Sequence, residues 1–178
     1  WVQDGSTQVQ VAYGDGPSDQ SVVASTVFDN ETDLVAGYLF NETSGDLLDV
    51  TSNNNDGTVY GASRDQDGFI GKAYSFDGDN DYIELPSGML QGGFSYSFTF
   101  LCWLKTSEAY QSIFNSLPNN GKHIDFNTDG GSSNDALRAF IDDGNDINNV
   151  DGAETVADGV WHFVGLTRDG YDWILWRD

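Results

Sequence analysis

A single cysteine, Cys102, excludes an internal disulfide, so no covalent staple holds this chain together. It sits inside the apolar run Phe98-Thr99-Phe100-Leu101-Cys102-Trp103-Leu104, where a buried small hydrophobe is the natural reading. Only three prolines occur, so rigid breaks are few. No stretch of about 18 apolar residues exists, which excludes a spanning helix and membrane insertion of this segment. Trp1 opens the chain with no Met, basic N-region or apolar signal segment, and the sequence reads as a piece of a longer chain. Cations are the scarcest feature: seven Lys plus Arg stand against 29 Asp plus Glu, a net charge of −22. Such a surface repels a phosphate backbone and argues against nucleic-acid partners.

The acid is mostly Asp and is scattered rather than bunched. Scattered like charge strains a compact fold in dilute buffer. In molar salt the screening length shrinks to about 3 Å and the strain is relieved. Adaptation to high salt, an ordinary acidic protein and a calcium-rich surface all account for this pattern.

What is abundant is aromatic and turn-forming: 11 Phe, 8 Tyr, 5 Trp and 21 Gly. Short β-type runs alternate with Gly/Asp/Asn/Ser clusters such as Asp77-Gly78, Asp143-Gly144 and Asp158-Gly159. The pattern predicts strands over Gln8–Tyr13, Leu34–Phe40, Gly57–Tyr60, Ala73–Phe76, Tyr82–Leu85, Ser95–Lys105, Gln111–Asn115, His123–Asn127, Ala136–Asp142, Trp161–Arg168 and Asp172–Arg177. A short helix or linker is expected at Ser18–Ala24. The fold class is all-β, an antiparallel β-sandwich or jelly roll. Phe76, Trp103 and Trp161 are expected to share its interior. A composition shift near residues 17–33 places a boundary, dividing the chain into 1–17, which resembles the closing strands of a preceding β-domain; 18–32, a linker; and 33–178, the sandwich.

Five segments, in order, carry a family resemblance. They are Leu34–Phe40 with the loop Asp49-Val50-Thr51-Ser52-Asn53-Asn54-Asn55-Asp56-Gly57; Gly71–Ile83, containing Phe76-Asp77-Gly78 and Asp81-Tyr82; Phe98–Lys105, with its Trp103; Asp158-Gly159-Val160-Trp161-His162; and Tyr171–Asp178. Together they resemble laminin-G-like, concanavalin A-like jelly-roll lectin domains. The family continues for several more strands, so the resemblance implies a sandwich incomplete at its C-terminal side, completed by further chain or by another protein strand. It implies an extracellular binding or adhesion module for carbohydrate or glycoprotein, on a cell surface or virion. A structural subunit of a filament or virus particle without glycan binding, and an ancillary targeting domain of a larger secreted enzyme, are the alternatives.

Catalysis is not expected. The sandwich glucanases of this fold carry Glu-x-Asp-x-x-Glu on one strand, and the five glutamates here (Glu31, Glu42, Glu84, Glu108, Glu154) never take that spacing. No nucleophile motif, phosphate loop or zinc spacing occurs, and no cofactor-binding residue is assigned. His162, after Trp161, reads as a packing residue. Calcium is the candidate cofactor, because it takes six to eight oxygens from flexible loops. Asp49, Asn53 and Asp56 in one loop and Asp77, Asp79 and Asp81 in another are its candidate ligands; ordinary Asp/Asn turn chemistry explains them equally. The calcium-dependent ligand site of the related pentraxins is not matched, since Gly121-Lys122-His123 stands where its Asp-Asn pair belongs. Asn30-Glu31-Thr32 and Asn41-Glu42-Thr43 are N-glycosylation sequons, making Asn30 and Asn41 candidate acceptors.

The charge argument predicts that melting temperature falls as NaCl is lowered below about 0.5 M. An unchanged Tm across roughly 0.1 to 3 M NaCl would remove screening from the account.

Overall fold

Period-2 alternation decides which residues face inward. In a computed structural model, which describes residues 7–10, 34–87, 89, 97–116, 123–129, 135–142, 147–169 and 172–178, the described elements are all strands. In chain order they are β1 (Thr7–Gln10), β2 (Thr58–Tyr60), β3 (Ser63–Asp67), β4 (Lys72–Phe76), β5 (Tyr82–Glu84) and β6 (Phe98–Lys105). Then follow β7 (Ser112–Ser116), β8 (His123–Asn127), β9 (Ala136–Asp142), β10 (Ile147–Thr155), β11 (Trp161–Asp169) and β12 (Asp172–Arg177). Among the described residues no helix is long and apolar enough to cross a membrane.

Three antiparallel sheets form. One has six strands in the order β12-β11-β6-β1-β4-β3, one has four in the order β10-β9-β8-β7, and a small one pairs β2 with β5. Residues from all three meet in one hydrophobic cluster. The six-stranded sheet contributes Phe76, Tyr74, Cys102, Leu104, Val164 and Leu166. Facing them are Ile113, Ile124, Phe126, Leu137, Ala139 and Ile141 from the four-stranded sheet. Each large side chain withdrawn from water contributes roughly 1.5–3 kcal/mol. Exposed ion pairs such as Lys72–Asp65 are worth roughly 0–1 kcal/mol. The interior therefore holds the fold, and the acidic surface does not.

The antiparallel sandwich expected from the sequence is observed, and several predicted strands match residue for residue, including His123–Asn127 and Ala136–Asp142. Leu34–Phe40 departs from expectation: it makes only an isolated bridge, Tyr38 to Asp49, and Phe40 takes φ 57°, which ends the extended run. Two strands lacked an apolar signal. β3 (Ser-Arg-Asp-Gln-Asp) and β10 (Ile-Asn-Asn-Val-Asp-Gly-Ala-Glu-Thr) are edge strands, where polar side chains discourage pairing with other chains. β1, assigned from sequence to a preceding domain, is paired on both sides within the six-stranded sheet, to β4 and to β6. The 17–33 boundary and the Ser18–Ala24 segment lie outside the described residues.

One expectation about the interior is corrected. Phe76 is fully buried, but Trp103 and Trp161 project from the opposite face of the sheet. In β6 the fully buried Cys102 and Leu104 take the inward positions, so Trp103 between them must point out. The β6–β11 register extends over Phe98↔Arg168 to Lys105↔Trp161 and places Trp103 opposite Phe163, and Lys105 opposite Trp161. On that outer face Phe69, from the β3–β4 connection, stacks on Trp103 at 3.8 Å between ring centroids.

Gly165 keeps this face flat. A Cβ there would lie 2.4 Å from Leu101 Cδ2 and 2.7 Å from the Phe100 carbonyl oxygen, so Leu101 lies across the position. Gly165→Ala should cost about 1–3 kcal/mol and lower Tm by roughly 3–10 °C in a thermal melt. Adding Leu101→Ala should recover only part, because the Phe100 carbonyl is backbone.

Candidate functional site

The two acidic loops singled out from sequence are hydrogen-bonded turns. Asp49 is the hub of the first. Its Oδ1 accepts from the Gly37 and Thr51 amides, each at 2.9 Å. Its Oδ2 accepts from the Thr51 hydroxyl at 2.8 Å and the Asn55 amide at 2.9 Å. Four donors saturate the lone-pair sites of a carboxylate. Burial pushes the Asp49 pKa up, but the Gly37, Thr51 and Asn55 hydrogen bonds outweigh it and hold the carboxyl below the usual range. Asp56 Oδ1 accepts from the Asp49 amide at 2.8 Å. The Asn53 side-chain amide donates to the Leu34 and Val35 carbonyls, fastening the 34–40 segment to the loop.

The second loop closes on itself. Asp81 Oδ2 accepts from the Asp77 amide at 3.0 Å, and Asp77 Oδ1 accepts from the Asp79 amide at 3.0 Å. Asp81 is buried against Gly61, whose φ of 76° and contact with the Asp81 carboxylate leave no place for a side chain. Among the described residues, no three His, Cys, Asp or Glu side chains converge as a metal-holding group. Of the six candidate ligands, Asp49, Asp56, Asp77 and Asp81 accept backbone amides, as ordinary Asp turn chemistry does. Asn41 is exposed before β2, whereas Asn30 lies outside the described residues.

The outer face of the four-stranded sheet brings together polar groups that the sequence did not single out. Ile124, Phe126, Ala139 and Ile141 turn inward, so the residues between them turn out. Asp125 accepts from Ser112 Oγ at 2.9 Å and from Asn127 Nδ2 at 3.0 Å. Asn127 Oδ1 in turn accepts the Asp129 amide at 2.9 Å. Arg138, opposite Asn127 in the register, reaches Asp129 Oδ2 at 3.4 Å and Asp151 Oδ1 at 3.3 Å. The second contact is an ion pair without an aligned hydrogen bond, so the Nε donor is not consumed. Phe140, opposite Asp125, lies beside the His123 ring with centroids 5.2 Å apart. The result is a fixed grid of acceptors and donors around one aromatic ring.

A rigid loop borders this face. Thr106 Oγ1 accepts the Glu108 amide, Thr128 Oγ1 accepts the Gln111 amide, and Thr128 donates its own amide back to Gln111. At its tip Tyr110 is 65% exposed with φ 63°, a conformation that a bulky residue seldom takes.

His162 has a packing position, on the inward side of β11 and buried. Its Nδ1 lies 3.0 Å from Asp178 Oδ1 and its Nε2 3.2 Å from Asp158 Oδ1, tying the end of β12 to the turn before β11. The Val160 amide, and then His162, hold the Asp158 carboxyl below the usual range. Burial pushes Asp178 up, but His162 and the Phe163 backbone bring it below.

A family model described as the concanavalin A-like lectin/glucanases superfamily, of laminin-G type, matches residues 77–178, from the Asp77 loop through β12. The chain belongs to this superfamily. No curated protein and no solved structure matches it. The match spans β5 to β12, and so takes in the whole four-stranded face and its bordering loop.

Asp49, Asp158 and Asp178 all have folded pKa values below the ordinary aspartate value of about 3.9. Their contribution is therefore complete above that value and is lost as pH falls through the folded values. Thermal melts should show Tm falling below about pH 4. Asp49→Asn should cost about 1.5–3 kcal/mol at pH 7 and flatten that acid limb. EDTA should leave Tm unchanged if turn chemistry alone shapes these loops; a Tm raised by added calcium would favour the metal reading.

Proposed function

We propose that this chain is a non-catalytic carbohydrate- or glycoprotein-binding module, and that the outer face of the four-stranded sheet is where the ligand sits. The observation that carries the reading is the Ser112–Asp125–Asn127 network beside Arg138 and the Phe140 ring. Sugars present alternating hydroxyl donors and acceptors on one edge and a C–H surface on the other, and this face offers partners for both. The superfamily's description, lectin/glucanases, supports a carbohydrate as the ligand class.

Several observations favour binding over turnover. Asp125 is committed as an acceptor to Ser112 and Asn127, while Asp129 and Asp151 are committed to Arg138. Glycosidic cleavage requires one carboxyl free to hand a proton to the leaving oxygen. At low ionic strength the net charge of −22 favours uncharged glycans over sulfated or sialylated ones; the superfamily resemblance is what supports an extracellular setting on a cell or virion surface.

Isothermal titration against a panel of neutral and anionic glycans tests this. Neutral ligands should bind, and Asp125→Ala or Arg138→Ala should weaken them about tenfold or more, the loss expected when a hydrogen bond to a charged group is removed. Binding that survives both substitutions, or a preference for anionic glycans, would move the site elsewhere.

A further inference from the structure

We infer that Asn41 is a modification site, at which a sugar chain is joined to the side-chain amide of an exposed bend, Asn41-Glu42-Thr43. The inference rests on the extracellular setting proposed above and is independent of the glycan-binding face. Outside a cell, a sequon on an accessible loop is an acceptor for sugar transfer. The triplet alone is a weak signal, since such triplets arise by chance in an Asn-rich chain. The way residues 41–43 are held is the stronger one.

The loop is anchored at both ends and in its middle, but not at Asn41. Phe40 is buried, and its φ of 57° turns the chain as it leaves the core. At the other end Leu47 is buried and exchanges both backbone hydrogen bonds with Gly57, each at 2.8 Å. Between them Glu42 turns inward: its Oε1 accepts the Leu48 amide at 3.2 Å and its Oε2 accepts the Tyr74 hydroxyl at 2.9 Å. With Glu42 held in, Asn41 and Thr43 on either side of it are exposed. Ser44, Gly45 and Asp46 are exposed too, and a Cβ on Gly45 would meet nothing within 4 Å, so the approach is open.

Hydrogen bonding sets Asn41 apart from other asparagines. Asn53 donates its side-chain amide to the Leu34 and Val35 carbonyls, Asn55 to Val35, Asn54 to Ser52 and Asn127 to Asp125. Those amides shape loops or strands. Among the described residues, the Asn41 amide and the Thr43 hydroxyl have no hydrogen-bond partner. Transfer needs both groups: the amide nitrogen that takes the sugar, and the hydroxyl two residues on that completes the acceptor triplet.

The chemistry is a substitution at the sugar, and its co-reactant is a sugar chain carried on a polyisoprenoid phosphate. Asn41 Nδ2 bonds to the anomeric carbon as that carbon's bond to the phosphate oxygen breaks. One amide proton is released, and the lipid phosphate leaves with the bonding pair. Nothing is oxidised or reduced.

Secretion from a host that glycosylates its own sequons, followed by intact-mass measurement, tests the proposal. Asn30→Gln first removes the other sequon. In that background the protein should weigh more than its sequence by whole sugar residues. Asn41→Gln or Thr43→Ala should remove all of the added mass, whereas Thr43→Ser, which keeps the hydroxyl, should retain it. Where Asn41→Gln is not secreted, the two Thr43 variants give the same reading with Asn41 in place. Asn30→Gln protein at its bare sequence mass, while the host's own glycoproteins carry sugar, overturns the proposal. Added mass that survives Asn41→Gln also overturns it, by placing the sugar on another residue.

Discussion

The register between β6 and β11 is the constraint on which the rest of the molecule depends. Its paired positions put Cys102 with Val164, Leu104 with His162 and Phe100 with Leu166 on the inward side. Trp103 with Phe163, and Leu101 with Gly165, fall on the other. A slip by one residue would exchange these sets, placing an indole where a leucine packs and exposing the core side chains to water. Gly165 makes the slip harder still, because only a residue without a side chain fits beneath Leu101. Fixing this pair of strands fixes β12 on one side and β1 on the other, and with them which residues the sheet presents outward.

The acidic residues divide into two populations with different physics. Asp49 and Asp81 are buried and wired into turns, their oxygens taken by backbone amides, and they define loop shape. Exposed ones such as Asp67 and Asp79 are not so constrained by the core and set the long-range field. In sequence Asp81 and Asp79 look alike, each an Asp beside Asn80. Their difference lies in burial, which composition does not encode.

That distinction explains how much could be read in advance. The all-β sandwich was legible because apolar alternation and Asp-Gly turns recur along the chain, and strands such as His123–Asn127 carry both signals. β3 and β10 were missed because edge strands need little apolar surface. Trp103 was misplaced because β6 carries bulk on both faces, and only its neighbours' burial tells them apart. Asp49 was picked out as a candidate ligand, while its place as a hydrogen-bond hub left no trace in sequence; its four donors come from residues up to twelve positions away. The grid of Ser112, Asp125, Asn127 and Arg138 had no motif at all, since it is assembled by strand pairing across 27 residues of sequence. Two-residue alternation of Asp, Asn and Ser with Ile and Phe over β7 and β8 was its only trace.

The place of β1 between β4 and β6 has a consequence for how the molecule comes into being. Thr7 pairs with Phe76 and Gln8 with Lys105, so this strand's partners leave the ribosome about seventy and a hundred residues after it. Until they arrive, β1 has neither of its two neighbours, and the sheet cannot zip from one end to the other. Assembly is thus dominated by distant contacts and proceeds slowly for a domain of this size. The dense negative field keeps waiting chains apart during that interval. The surface charge then serves the nascent polypeptide as much as the finished one.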